Sequence, residues 1–148
     1  MRDKRHVIPA GGFLATVAFA VYMVTQLNGQ GPAPQANFTN ATIAEVRDAQ
    51  GQLVLRGQFA LADEQDDDVE RKAVLEPTGV DADAAGEAEI EFAKAAPATQ
   101  EVEFSVRNLQ AGVVFTFVIE GIDVATATSD RQGRAEVEFD VRTPRTDR

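Results

Sequence analysis

The feature of this sequence that most constrains its fold is a strict alternation of apolar and polar residues in two stretches. In residues 100–107, Val102, Phe104 and Val106 alternate with polar or charged residues, and residues 134–141 repeat the pattern. Successive side chains of a β-strand point to opposite faces of a sheet, so this period indicates strands with one buried and one solvated face. Strands of this kind are typical of antiparallel sheets.

Further strand-like runs, bounded by turn residues, follow residue 38. The eight candidate strands are residues 38–47, 52–61, 69–75, 87–92, 100–107, 113–119, 122–128 and 134–141. The run 113–119 is almost continuously apolar, which predicts a central strand covered, or nearly covered, on both faces. Because no helical apolar stripe follows the first 27 residues, we expect an all-β domain, a two-sheet antiparallel sandwich of about seven to eight strands.

An internal repeat accompanies the strand pattern. Residues 83–92 and 130–139 match at six positions (Asp, Gly, Ala, Glu, Glu and Phe), and residues 48–51 resemble the start of both. An Asp that opens a turn accepts hydrogen bonds from nearby backbone amides, and Gly adopts the left-handed conformation that ends the turn. We therefore expect three related turns, each leading into a strand, as in a duplicated hairpin.

The stretch from Val7 to Leu27 contains no charged residue, and Arg2, Lys4 and Arg5 precede it. Twenty-one helical residues span about 31 Å, close to the thickness of a bilayer core. The basic flank favours a cytoplasmic N-terminus. The sequence thus predicts an N-terminal transmembrane helix and a single-pass membrane protein whose domain is periplasmic or extracellular. An uncleaved anchor is favoured over a signal peptide, because the candidate cleavage sites adjoin prolines or lie inside the apolar run.

These patterns predict five segments along the chain. They are a basic cytoplasmic N-terminus (1–6), the anchor (7–27), a Gly/Pro linker (28–36), the β domain (37–143) and a disordered tail (144–148).

The start of the anchor resembles the processing site of type IV prepilins and pseudopilins, a short basic leader that ends in Gly12 and is followed by Phe13 and an apolar helix. The resemblance implies cleavage between these two residues and a pseudopilin-like assembly subunit. The sequence departs from that family at Val17, where the family has glutamate. The Gly/Pro linker also ends the helix early.

A second resemblance lies in residues 106–115. Leu109, Gly112 and the aromatic Phe115 are similar to the segment before the penultimate strand of fibronectin III-like domains. The resemblance implies an exported Ig-like or fibronectin III-like β-sandwich. Phe115 stands where that family prefers tyrosine.

The composition limits the chemistry that the exported part can perform. The net charge is −10, which disfavours nucleic acid as a partner. The chain has no cysteine or tryptophan, and its single histidine, His6, precedes the anchor. Thiolate metal sites and a Ser–His–Asp triad are therefore excluded from the domain, and glycan recognition is disfavoured. We expect a non-catalytic interaction or structural module with a protein partner in the cell envelope.

One dense acidic run, residues 63–70, is the candidate site for a cation. Ca²⁺ is bound by six to eight oxygens, largely from carboxylates and carbonyls. The candidate ligands are Asp63, Asp66, Asp67, Asp68 and Glu70. The alternative interpretation is a solvated loop between two strands, with no cofactor.

Overall fold

The computed structural model describes residues 35–95 and 97–144, which form nine β-strands. The strands are β1 (Ile43–Arg47), β2 (Leu53–Gln58), β3 (Ala60–Glu64), β4 (Asp68–Pro77), β5 (Ala85–Ala93), β6 (Thr99–Arg107), β7 (Val114–Ile119), β8 (Ile122–Thr128) and β9 (Ala135–Arg142). Every ladder between these strands is antiparallel. The prediction of an all-β antiparallel domain is confirmed.

The strands follow one hydrogen-bonded path, β8-β7-β1-β2-β4-β5-β6-β9, and β3 pairs with β4 beside that path. The two halves of the path are joined by the short β2–β4 pairing, in which Leu55 faces Pro77 and Arg56 faces Glu76. At the other side, β8 and β9 contact each other. The sheet therefore curls on itself into a nearly closed, barrel-like shape.

Most predicted strands coincide with observed ones, and two differ. The run 52–61 is interrupted at Phe59, which is buried and donates its N–H to the carbonyl of Thr42, so the chain forms two strands here. The run 38–47 is a strand only from Ile43, because the residues before it cross the end of the barrel. The near-continuous apolar run forms β7, which lies between β8 and β1.

The core fills the inside of the curled sheet. Strands β5, β6 and β9 each bury alternate residues, as the period-2 pattern predicts. The largest fully buried apolar side chains come from both halves of the path and from the segment before β1, and they are Phe38, Leu55, Leu75, Ile90, Phe104, Phe117 and Ile119.

Two of the three predicted turns are alike in structure. In residues 48–51 and 130–133, the Asp carboxylate accepts hydrogen bonds from the backbone N–H groups two and four residues further on, at 2.8–2.9 Å. The glycine of each turn is left-handed, with φ of 78° and 73°. The predicted turn at 83–86 is wrong, because Gly86 lies inside β5 and pairs with Val106 of β6.

Candidate functional site: the acidic face of the sheet

The predicted calcium ligands lie on the β3–β4 hairpin. Asp63 in β3 faces Glu70 in β4 across the ladder, Asp68 is the first residue of β4, and Asp66 and Asp67 form the connection. The hairpin brings the candidate ligands into one neighbourhood because its loop has only three residues.

Three of the five candidate ligands share a cleft. Asp63, Asp68 and Glu70 line a surface cleft of about 150 Å³, which Gln65 and Glu91 complete. Asp66 and Asp67 are exposed and do not line it. Within residues 35–95 and 97–144, no group of three or more His, Cys, Asp or Glu side chains is placed to hold a metal ion. The calcium site stays a prediction.

The hairpin tip is fastened to the protein by local contacts. The Asp63 carboxylate accepts hydrogen bonds from the Gln65 amide at 2.9 Å and from the Glu64 N–H at 2.8 Å. Lys94 donates its backbone N–H to the Asp67 carbonyl at 2.8 Å, and its ammonium lies 2.9 Å from the Glu64 carboxylate. The acidic tip is therefore held against the β5–β6 turn.

A larger acidic surface extends from this hairpin across the sheet. The ladders place outward-facing residues of β4, β5, β6 and β9 side by side in three rows, which we call the acidic face. The rows are Glu70–Glu91–Glu101–Asp140, Lys72–Glu89–Glu103–Glu138 and Val74–Glu87–Ser105–Glu136. Adjacent strands lie about 4.8 Å apart, so these carboxylates are direct neighbours.

In the middle of the acidic face, partial burial and repulsion from neighbouring carboxylates both raise the pKa of a glutamate. Desolvation raises the pKa of Glu103, and the negative charges of Glu89, Glu136, Glu138 and Glu101 raise it further.

Glu91 and Glu101, which are neighbours in the first row, also have carboxyls with a raised pKa. Desolvation is the largest cause of the raised pKa of Glu91, followed by the charge of Asp68. Desolvation also raises the pKa of Glu101, followed by the charge of Glu138. Like charges that face each other across a ladder are destabilising, so the face stores unfavourable energy at neutral pH.

Lys72 is the single cation in the three rows. Its ammonium lies 3.1 Å from Glu89 and 3.4 Å from Glu70. The hydrogen bond to Glu89 is the largest cause of the raised pKa of Lys72. One lysine offsets only part of the surrounding negative charge, which leaves the face strongly attractive to cations.

A second cleft continues the first along the same row. It measures about 180 Å³, and its lining includes Asp68 and Glu91, which it shares with the first cleft, together with Glu101 and Asp140. The two clefts form a shallow acidic trough from the hairpin to β9. Carboxylates in this arrangement attract ammonium and guanidinium groups or metal cations.

Sequence reasoning identified the hairpin end of this surface and missed the rest. The alternation in residues 100–107 and 134–141 predicts that the Glu residues of β6 and β9 lie on solvated strand faces, and this prediction is confirmed. Their alignment depends on register, which the alternation alone does not reveal. The processing residues Gly12 and Phe13, the anchor Val7 to Leu27 and residues 145–148 of the tail lie outside the described residues.

Within the part of the chain that the structure describes, no helix is long and apolar enough to cross a membrane. Comparison with known proteins finds no matching family model and no significant match among curated proteins or solved structures.

Proposed function

We propose that this chain is a membrane-anchored extracytoplasmic β protein that acts as a non-catalytic interaction or structural module of the cell envelope. The observation that carries the proposal is the acidic face, in which nine carboxylates and one ammonium are aligned in three rows. Like charges that face each other across a ladder are destabilising, and a basic partner or bound cations would offset that repulsion. The partner we infer is a protein with a basic surface.

In this proposal the domain works as a sandwich similar to exported Ig-like or fibronectin III-like domains. One layer is β8-β7-β1-β2, and the other is β4-β5-β6-β9, whose outer surface is the acidic face. Contact between Phe104 of β6 and Phe117 of β7 across the core supports two facing layers.

The proposed anchor also gives the domain an orientation. Gln35 is bridged in parallel to Arg142 at the end of β9, and Arg142 faces Thr99 at the start of β6. Asp68 faces Ala93 at the same end of the sheet. A chain that leads from an anchor at Val7 to Leu27 would therefore enter next to β9, at the end of the sheet where the acidic hairpin also lies. The acidic face would then stand along the side of the domain, open to a neighbouring protein.

Site-specific photo-crosslinking in native membranes tests the proposal. A photoreactive residue in place of Glu103 should capture a protein partner, and high salt during irradiation should weaken the capture. The matched control is the same residue in place of Thr126, which is exposed on β8 away from the acidic face. Equal capture from both positions, or none from Glu103, contradicts the proposal.

A calcium-binding β domain is the alternative function. It is favoured by the cleft that Asp63, Asp68, Glu70 and Glu91 share. In that case the ion would draw together carboxylates that now repel one another, and binding would stabilise the fold. A pseudopilin-like assembly subunit, processed between Gly12 and Phe13, is the remaining alternative.

A further inference from the structure

Residues 35–42 precede β1 and belong to none of the nine strands. They begin at Gln35, whose only ladder contact is a single parallel bridge to Arg142 at the end of β9. They end at Thr42, which directly precedes Ile43, the first residue of β1. We call residues 35–42 the strap, because they cross the end of the barrel from β9 to β1.

The strap covers part of the core. Phe38 is 2% exposed and is among the largest fully buried side chains of the protein, and Ala36 and Ala41 are buried as well. The Phe38 ring therefore closes this end of the barrel.

A buried glutamine holds the first half of the strap. Gln100, at the start of β6, is fully buried. Its side-chain oxygen accepts a hydrogen bond from the Phe38 N–H at 2.6 Å, and its amide donates to the Ala36 carbonyl at 3.2 Å. The same amide donates to the Thr143 hydroxyl at 3.0 Å. Gln100 thus ties the strap to Thr143, the residue that directly follows β9.

Two charged side chains hold the second half. Arg71 of β4 donates a hydrogen bond to the Thr39 carbonyl at 2.8 Å. Glu120, in the β7–β8 turn, accepts hydrogen bonds from the backbone N–H groups of Thr42 and Ile43 and from the Thr42 hydroxyl. These donors are the largest cause of the lowered pKa of Glu120.

The strap is fastened differently from the strands. A central strand such as β5 is paired along its length with β4 on one side and β6 on the other. The strap is held by one bridge, by the Phe59 N–H that donates to the Thr42 carbonyl, by three side chains from separate elements and by the Phe38 ring. Its release breaks no ladder between the nine strands, so it can open as a local unit below the cost of global unfolding.

We propose that the strap detaches from the barrel while the nine strands stay folded, and that it is an extensible part of the tether. The second half of this inference rests on the proposed membrane anchor. Eight residues in an extended conformation span at most about 26 Å, so detachment of the strap can lengthen the tether by up to that distance. Detachment would let the domain move away from the membrane by that distance to meet a partner.

Amide hydrogen exchange of the full chain in detergent micelles tests the detachment. The strap amides of Phe38 and Thr42 should exchange at least about tenfold faster than those of Ile90 and Val102 in β5 and β6, because they open without the sheet. They should still exchange more slowly than in an unfolded peptide.

Two variants sharpen the test. Gln100→Ala and Glu120→Ala each remove three hydrogen bonds, and one bond contributes about fivefold to an opening equilibrium. Each variant should accelerate strap exchange at least about tenfold. Glu120→Ala should change exchange in β5 and β6 less than about threefold, since Glu120 is exposed and outside the strands.

The matched control is Phe139→Ala, which shortens a partly buried ring of β9 and should accelerate exchange in the strands and the strap together. The inference is overturned if strap and strand amides of the unmodified chain exchange at one rate, or if Glu120→Ala accelerates all segments equally. Exchange of the strap at the rate of an unfolded peptide overturns it as well, because no bound strap would then exist. None of these outcomes depends on the membrane anchor, so they are distinct from a failure of the proposed function.

Discussion

The ring of Phe104 on β6 packs against the ring of Phe117 on β7, with centroids 5.0 Å apart and planes inclined by 57°. Four strands separate β6 from β7 along the hydrogen-bonded path, so this contact crosses the inside of the curled sheet. Both side chains are fully buried. A tilted ring pair at this distance stabilises the fold beyond the area that it buries.

We therefore expect Phe104→Ala to lower the free energy of unfolding by about 3–5 kcal/mol, through lost burial and the cavity that remains. Urea unfolding followed by circular dichroism at β-sheet wavelengths measures the loss. A double-mutant cycle with Phe117→Leu should show a coupling of about 1 kcal/mol. Val74→Ala is the control, because Val74 is 67% exposed and should change stability by less than about 0.5 kcal/mol. A Phe104 variant as stable as the Val74 variant would contradict the observed core.

The strands could be predicted from sequence because their signal is local. In β6, Val102, Phe104 and Val106 lie on one face whatever the strand pairs with, and the two-residue turn between β7 and β8 is marked by Gly121. The β3 strand could not be predicted as a separate element, since all five of its residues are exposed and its sequence carries no alternation.

The closure of the sheet and the acidic face depend on contacts distant in sequence. The β2–β4 pairing and the approach of β8 to β9 join segments whose own patterns fit several topologies. Likewise, the alignment of Glu89, Glu103 and Glu138 follows from the register of three strands. A shift of one residue would place a different set of side chains on the outer face.

The contrast between Gly86 and Gly51 gives a second prediction. Sequence matching paired residues 83–86 with a turn, yet a Cβ on Gly86 would lie 2.6 Å from the Ser105 carbonyl oxygen. Gly51 is left-handed, and a Cβ there would meet nothing within 4 Å. Asn tolerates the left-handed region, so Gly51→Asn should cost less than about 1 kcal/mol, whereas Gly86→Asn should cost about 2 kcal/mol or more. Calorimetric unfolding of both variants decides this, and the reverse order would place Gly86 in a turn after all.

The repulsion on the acidic face predicts an unusual dependence of stability on pH. A carboxyl whose pKa is raised in the folded protein contributes stability that is fully present below its ordinary value of 4.5 and is lost as pH rises through the raised pKa. Glu91, Glu101 and Glu103 belong to this class. Glu120 acts in the opposite sense, and its contribution is lost only as pH falls through its lowered pKa. The melting temperature should therefore rise as the pH falls from 7.5 towards 4.5.

The variant Glu103→Gln tests the origin of that rise. It should increase the free energy of unfolding at pH 7.5 by about 0.5 kcal/mol, because it removes like charge between two facing glutamates. It should also reduce the gain in melting temperature on acidification. Asp123→Asn is the control, since Asp123 is exposed on β8 outside the acidic face and should leave the pH profile unchanged. A profile of the Glu103 variant identical to that of the unmodified chain would rule out the acidic face as its cause.

The effect of calcium on stability tests the hairpin end of the acidic face. If the hairpin cleft holds Ca²⁺, millimolar CaCl₂ should raise the melting temperature, and Asp63→Asn with Glu70→Gln should abolish the rise. MgCl₂ at equal concentration is the control, because Mg²⁺ is smaller and demands a stricter octahedral geometry. An equal rise with both salts would indicate screening of the acidic face, and no rise with CaCl₂ would eliminate the calcium alternative.

The N-terminal segment gives the last prediction, which separates the proposed anchor from the pseudopilin-like alternative. An uncleaved anchor predicts an intact mass for the chain recovered from membranes, with Arg2, Lys4 and Arg5 retained. Processing at the prepilin-like site would instead give a chain that begins at Phe13. Mass spectrometry of the membrane fraction distinguishes the two, and Gly12→Leu serves as the matched variant, because it should block processing but leave an uncleaved anchor unaffected. An intact mass in both the unmodified chain and the variant supports the anchor, since the apolar run from Val7 to Leu27 then remains attached to the domain and long enough to cross the bilayer.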